Sequence, residues 1–466
     1  MKKYFYTVTL LILLLFAGCS EHPVQPPAED APATTAATPV EIDMEAQGHV
    51  EQLHDYDSPY TICYRNSDDT YSMYVFAGPV QYKGEDGYQV IDNALIPSER
   101  EGFFFENKAN EVKTYFPETL DGVFRIEKGA DYMEFAPQCS AEGFSAGEKT
   151  DFTNMYGDTV EAVVYQRSDM DMAFYPTKAG IKLEIVLKER PDANDFFFRV
   201  ESNAVGFENK KNGYITFLKG NQIKNIIYQP LVQYTKAGEA QMSTDAYMNV
   251  ERKEGDIIVQ MIVGGAIFHE KGDTEYPVRL DPSFEMYLNK MPDSTVYEKK
   301  DVNQYLANYA VVGNHPYWGQ SQHYMRLRLN YFMTVNGEDI EDANFFVRPL
   351  WSCGVPEDLR AYEAESQWSS TQMLWDTKVS EGEPLQTYVE ENGYWKLPMR
   401  DYIRECFGDP TWQKESVGFL VRGEEVGKYG MIATSDNTLY TPYLRIDLNQ
   451  LPTYFETKDN INDVQF

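Results

Sequence analysis

Residues 181–188 read IKLEIVLK, and this stretch decides the fold class. Ile181, Leu183, Ile185 and Leu187 fall on one side of an extended chain, and Lys182, Glu184 and Lys188 fall on the other. A repeat of two is the period of a strand, because successive side chains point to opposite faces, whereas a helix returns an apolar residue every three or four positions. The stretch therefore predicts a strand with one buried and one solvated face. The same alternation recurs in YMRLRLN (324–330), where Met325, Leu327 and Leu329 oppose Arg326, Arg328 and Asn330, and in Leu444, Ile446 and Leu448 against Arg445 and Asp447. With 34 tyrosines, 26 phenylalanines and frequent Gly and Pro, the composition suits many short strands joined by turns. The expectation is an all-β protein of β-sandwich or jelly-roll domains.

One short helix is expected near the C-terminus. In PMRDYIRECFG (398–408), Met399, Tyr402, Ile403, Cys406 and Phe407 follow helical spacing, with Pro398 at the start and Gly408 at the stop. The chain changes character near residue 290, since all six tryptophans (Trp318, Trp351, Trp368, Trp375, Trp395 and Trp412) lie beyond it. Residues 51–288 are thus read as a β-rich first region, with a further division near 140–150, where QCSAEGFSAGEKT carries no strand pattern. Residues 289–450 form a second domain, and 451–466 a tail.

The N-terminus has its own logic. Lys2 and Lys3 precede an apolar run from about Leu10 to Ala17. The run is too short to span a bilayer core, which needs roughly 20 residues, so residues 1–18 read as a signal peptide. Leu15-Phe16-Ala17-Gly18-Cys19 resembles the bacterial lipobox, which implies acylation of Cys19 and a lipid-anchored protein on the extracellular face of the membrane. Phe16 departs from the usual leucine and leaves cleavage by the ordinary signal peptidase open. Residues 19–50, rich in Pro, Ala and Thr, cannot bury enough surface to fold and read as a spacer. The formal net charge of −32 argues against nucleic acid and anionic lipid surfaces, both of which require clustered Lys and Arg. Contact with the membrane is then through the lipid alone. Cys63, Cys139, Cys353 and Cys406 form no CxxC pair, so no zinc site is indicated and no disulfide pairing is specified.

Several stretches resemble the N-terminal region of large Rhs-type, wall-associated surface proteins: PVQYKGEDGYQVIDNALI (79–96), FENKANEVKTYFP (105–117), VVYQRSDMDMAFYPTKAGIKLEIVLKERP (163–191) and EYPVRLDPSF (275–284). The second region is similar to the DNRLRE-type domain that follows in those proteins, a β-sandwich of the carbohydrate-binding-module kind. The matching stretches include residues 293–331, WSSTQMLWDTK (368–378), YWKLPMRDYIRECF (394–407), VGFLVRG (417–423) and SDNTLYTPYLRIDL (435–448). HYMRLRLNY keeps only part of the arginine-led signature strand. The tyrosine-aspartate repeats and toxin of the large relatives have no counterpart in these 466 residues, so toxin delivery is not carried over.

Catalytic motifs are thin. GFSAG (143–147) matches a nucleophile elbow literally, but its flanks supply neither the buried strand before Ser145 nor the helix after it. Asp169 and Asp171 share a strand face, yet among 73 acidic residues close pairs are unavoidable. His315 and His323 bracket a loop without an evident third metal ligand. No cofactor is expected, although an acidic jelly roll leaves room for a structural Ca²⁺. Aromatic side chains carry more weight, because a ring can stack on the C–H face of a sugar. Trp351, Trp368, Trp375 and Trp395 sit in apolar strand-like contexts and read as core. Tyr317 and Trp318 in GNHPYWGQ, and Trp412 in GDPTWQK, lie in loops and are the candidate ligand contacts. The expected function is non-catalytic: a cell-surface lipoprotein that binds or organises envelope or extracellular polysaccharide through its C-terminal domain. A structural or adhesive surface protein is the alternative class, and a polysaccharide lyase or hydrolase is disfavoured by the missing acid–base constellation.

Overall fold

The structure is a computed structural model that describes residues 48–452, 454 and 455, except 210–212, 269–273, 328–332, 365–367 and 409–416. Residues 1–18, expected to be a signal peptide, Cys19, residues 20–47 of the expected spacer and Trp412 lie outside the described residues. The chain divides into Met1–Thr35 and a second unit, Ala36–Phe466, to which everything below belongs.

The described residues build an almost entirely antiparallel β protein with one α-helix. An eight-stranded sheet, running from Ala246–Lys253 at one edge to Asp92–Pro97 at the other, faces an eleven-stranded sheet that carries Gly180–Leu187 near its middle. Phe116, Phe124, Phe135 and Val259 from the first sheet and Val163, Phe174, Leu183 and Phe284 from the second fill one core between them. Phe124 and Phe174 stack at 3.9 Å between ring centroids, as do Phe135 and Phe284. Residues 140–147 connect the two sheets of this sandwich, so the first region has one apolar core and does not divide there.

A second sandwich faces the first. Its nine-stranded sheet includes Tyr309–His315, Gly319–Leu327 and Tyr429–Ala433. Its seven-stranded sheet runs in the order His49–Gln52, Thr61–Asn66, Tyr71–Phe76, Tyr443–Leu448, Ile340–Val347, Tyr394–Pro398, Val389–Glu391. Three of these strands come from residues that the sequence reading assigns to the spacer and the first region. Tyr71 pairs with Leu448 and Phe76 with Tyr443, and Tyr60, Cys63, Met73 and Val75 enter the same core as Phe345, Trp395 and Leu444. Local alternation predicts a strand but not its partner, which is why the chain's return to this sheet is invisible in the sequence. Helix Arg400–Gly408 packs Tyr402, Ile403, Cys406 and Phe407 into that core together with Met399. Pro398 ends the preceding strand and does not open the helix.

The two sandwiches meet on a third apolar cluster. Val160, Ala162, Val164, Ala173 and Tyr175 from the eleven-stranded sheet pack with Tyr297, Tyr309, Val311, Met431 and Ala433 from the nine-stranded sheet. In strand Thr159–Gln166, Val163 and Tyr165 point into the first sandwich while Val160, Ala162 and Val164 point into this seam. The sheets therefore stack in four layers, and the two inner ones are covered on both faces.

The seam corrects the reading of IKLEIVLK. Ile181, Leu183, Ile185 and Leu187 face the first core as expected. Lys182 and Glu184, assigned to a solvated face, are 4% and 0% exposed. A buried charge is tolerated only when paired and hydrogen-bonded. Lys182 Nζ lies 2.8 Å from an Asp281 carboxylate oxygen that also accepts from the Tyr156 hydroxyl at 2.6 Å. Glu184 accepts from Arg279 at 3.0 Å and from the Met155 backbone N–H at 2.9 Å. Only Lys188, beyond the covered area, is exposed.

Candidate functional site

Tyr317 and Trp318 sit at the tip of the hairpin between Tyr309–His315 and Gly319–Leu327, in which His315 pairs with Gly319. Gly319 adopts φ +70°, and a Cβ there would come within 2.3 Å of a Glu298 carboxylate oxygen, so the turn needs glycine. His315 organises the tip. Its Nδ1 accepts from the backbone N–H groups of Tyr317 at 3.2 Å and Trp318 at 3.3 Å. Its ring stacks on Trp318 at 4.3 Å and meets Tyr429 edge-on at 4.4 Å. Burial and the nearby Lys300 ammonium push the His315 pKa down to about 4, which keeps Nδ1 free to accept.

These contacts separate the two candidate residues. Trp318 is half-buried and already engaged by His315, by the edge of Tyr297 at 5.3 Å and by the Lys300 ammonium 4.7 Å from the ring centroid. Tyr317 is 82% exposed. Val426, on the adjoining loop bridged to Asn314, is 84% exposed. His315 thus lies against both rings, stacked on Trp318 and 5.9 Å from the more exposed Tyr317 between centroids. Of the four tryptophans read as core, Trp395 is buried among Phe345, Leu397 and Met399, and Trp368 packs against Tyr324. Trp351 and Trp375 are only half-buried, the latter under the Lys378 ammonium at 3.9 Å.

The other motifs resolve into structural roles. Residues 144–147 form an irregular segment that leads into strand Glu148–Thr153, and no helix follows Ser145. The Ser145 hydroxyl accepts from the Gln166 N–H and donates to the Ala146 carbonyl. Asp169 is held by Arg167 at 2.8 Å and Asp171 by Lys188 at 2.7 Å. His323 is buried against Thr295, whose Oγ1 lies 3.1 Å from Nδ1, and takes no part in the His315 tip. Among the described residues no group of three or more His, Cys, Asp or Glu could hold a metal ion, and no disulfide joins the four described cysteines. No helix among the described residues is long and apolar enough to cross a membrane.

Sequence reading missed a cavity of about 250 Å³ at one end of the seam, bordered by Tyr60, Gln81, Asn110, Lys128 and Lys178 among others. A smaller chamber of about 20 Å³ adjoins it and shares Pro79, Lys178 and Leu288 with it. Its walls include Glu285, Lys290 and Asp436, with Lys290 and Asp436 forming an ion pair. Burial raises the Glu285 carboxyl to about 7. No motif flags this site, because it is assembled from turns and strand ends that lie far apart in the chain.

No protein-family model matches the chain, and no curated protein matches it. Among solved structures, the N-terminal domain of the Streptococcus gordonii adhesin Sgo0707 aligns at 8% identity over 87% of this chain and 91% of that one, with a TM-score of 0.14. A score that low carries no argument about fold or function.

Proposed function

We propose that the protein is a non-catalytic, lipid-anchored surface protein that holds an envelope or extracellular glycan on its C-terminal sandwich. The observation that carries this reading is Tyr317, 82% exposed on a tip whose backbone is fixed by His315. An outward-facing ring on a fixed backbone offers its face to a sugar, which is what a stacking contact requires. The His315 ring lies 5.9 Å from the Tyr317 ring, between centroids, and Trp318 and Trp412 remain the other candidate contacts. Anchoring rests on Cys19 and on the run of residues that precedes it.

One experiment addresses both halves. Cells producing the full chain are labelled with a fatty acid and their detergent extract is run on glycan affinity gels. Label is expected in the wild type and in Tyr317→Ala but not in Cys19→Ala. Retardation by a glycan or wall polymer is expected in the wild type and in Cys19→Ala but reduced about tenfold in affinity in Tyr317→Ala, the loss of about 1.4 kcal/mol. A wild-type chain that no polymer retards would remove the glycan reading. A structural or adhesive role would then rest on a different surface, the outer face of the eight-stranded sheet, where Phe197 and Tyr247 are exposed.

A further inference from the structure

The seam cavity presents positive charge in a strongly acidic chain. Lys178 sits in the turn between strands Met170–Pro176 and Gly180–Leu187 and is 3% exposed. Its Nζ donates to the Thr441 hydroxyl at 2.7 Å, and no carboxylate lies within ion-pair distance of it among the described residues. Two nearby lysines do have one: Lys182 has Asp281, and Lys290 has Asp436. Lys128 on the border of the larger chamber is paired with Glu111, and Lys83 adds a further cation. In the smaller chamber Glu285 accepts from Thr438 at 2.8 Å through one oxygen, while its buried Oε2 has no hydrogen-bond partner. Burial without a counter-charge lowers the Lys178 pKa to about 7, so an anion beside it would stabilise the ammonium form, and the unpartnered buried carboxyl oxygen in the adjoining chamber carries its own desolvation cost.

We propose that the two chambers form a binding site for a small organic oxyanion, with its charged group against Lys178 and its hydroxyl-bearing body in the larger chamber. A carboxylate or phosphate would supply the counter-charge that Lys178 lacks. It would also take a hydrogen bond from Glu285, whose carboxyl is kept protonated on the acid side of neutrality by burial. Binding pockets for drug-sized ligands span about 300–1,000 Å³, so a cavity of about 250 Å³ suits a ligand the size of one monosaccharide. The smaller chamber, at about 20 Å³, admits only an atom or two beyond the roughly 10–15 Å³ that a water needs. The site is independent of the hairpin tip.

The test uses the full chain in detergent at pH 6.5, with thermal unfolding followed against D-galacturonate, glucose 6-phosphate and glucose, and sodium chloride as the ionic-strength control. The expected result is a saturable rise in midpoint with one or both anions and none with glucose. The anion that acts identifies the carboxylate or phosphate source. Lys178→Met should abolish the rise, and Glu285→Gln, which keeps a donor at the same place, should retain it. A rise no greater than that with salt, an equal rise with glucose, or a full response in Lys178→Met would each overturn the proposal. The comparison of anion with glucose needs no variant, so it stands even where Lys178→Met does not fold.

Discussion

At the scale of single residues, His315 couples the presentation of Tyr317 to pH. Two backbone N–H groups point at its Nδ1, and a protonated ring would offer them a third N–H in place of a lone pair. The folded-state pKa is lowered from 6.5 to about 4. The folded form therefore excludes a proton that the unfolded chain accepts, and stability from the neutral ring is complete above pH 6.5 and lost as pH falls toward 4. His315→Phe keeps an aromatic ring against Trp318 and Tyr429 but cannot titrate. Its thermal midpoint should fall less than that of the wild type between pH 7 and pH 4.5, and its midpoint at pH 7 should be the lower of the two. Equal acid sensitivity in the two proteins would mean that His315 does not carry the effect. The role of Trp318 belongs to this scale as well. Its place in a polar, Gly- and Pro-containing loop marked it as a ligand contact, but only the fold brings His315, Tyr297 and Lys300 onto its ring.

At the scale of elements, strand Gly180–Leu187 and the residue after it hold two lysines that the sequence treats alike and the structure does not. Lys182 is buried with Asp281, whereas Lys188 bridges exposed to Asp171. Lys182→Met strands a buried carboxylate and should cost about 3–5 kcal/mol. Lys188→Met removes a surface ion pair and should cost about 0–1 kcal/mol. Urea unfolding midpoints of the two variants decide the point, and similar values would show that the seam does not bury this face. The same strand marks how much the sequence revealed. Alternation fixed the strand type of residues 181–187 and of 444–448, and helical spacing found Tyr402, Ile403 and Cys406, because those patterns are local and the side chains that satisfy them are consecutive. Which face met water was not local. It depended on Asp281 and Arg279, about a hundred residues onward, and on a second sandwich covering the sheet. A clue was present in TVEAVVYQ (159–166), where both faces carry apolar residues, the mark of a strand covered on both sides. The cavity at Lys178 left no such trace, since turns and strand ends carry no period.

At the scale of the whole molecule, the first sandwich is an insertion into the second. The chain lays down three strands between His49 and Phe76, builds the eight- and eleven-stranded sheets, and returns at Asp293 to complete the sandwich it began. Residues 290–450 thus lack part of their own core. Without Tyr71–Phe76, strand Tyr443–Leu448 becomes an open edge, and the apolar contacts of Tyr60, Cys63, Met73 and Val75 with the remaining core are lost. An exposed edge next to an unfilled core favours association over folding. The fragment 290–450 should therefore show no cooperative urea transition, while the same fragment joined to residues 48–78 through a flexible Gly/Ser linker should show one. Tryptophan fluorescence suits the measurement because all six tryptophans lie between Trp318 and Trp412, and Trp395, packed in the shared core, reports its formation directly. A sharp transition from residues 290–450 alone would show that the three early strands decorate a finished sandwich. Its absence, restored by residues 48–78, would show that the second sandwich needs those three strands, so that a test of the proposed glycan binding has to be made on a protein that contains them.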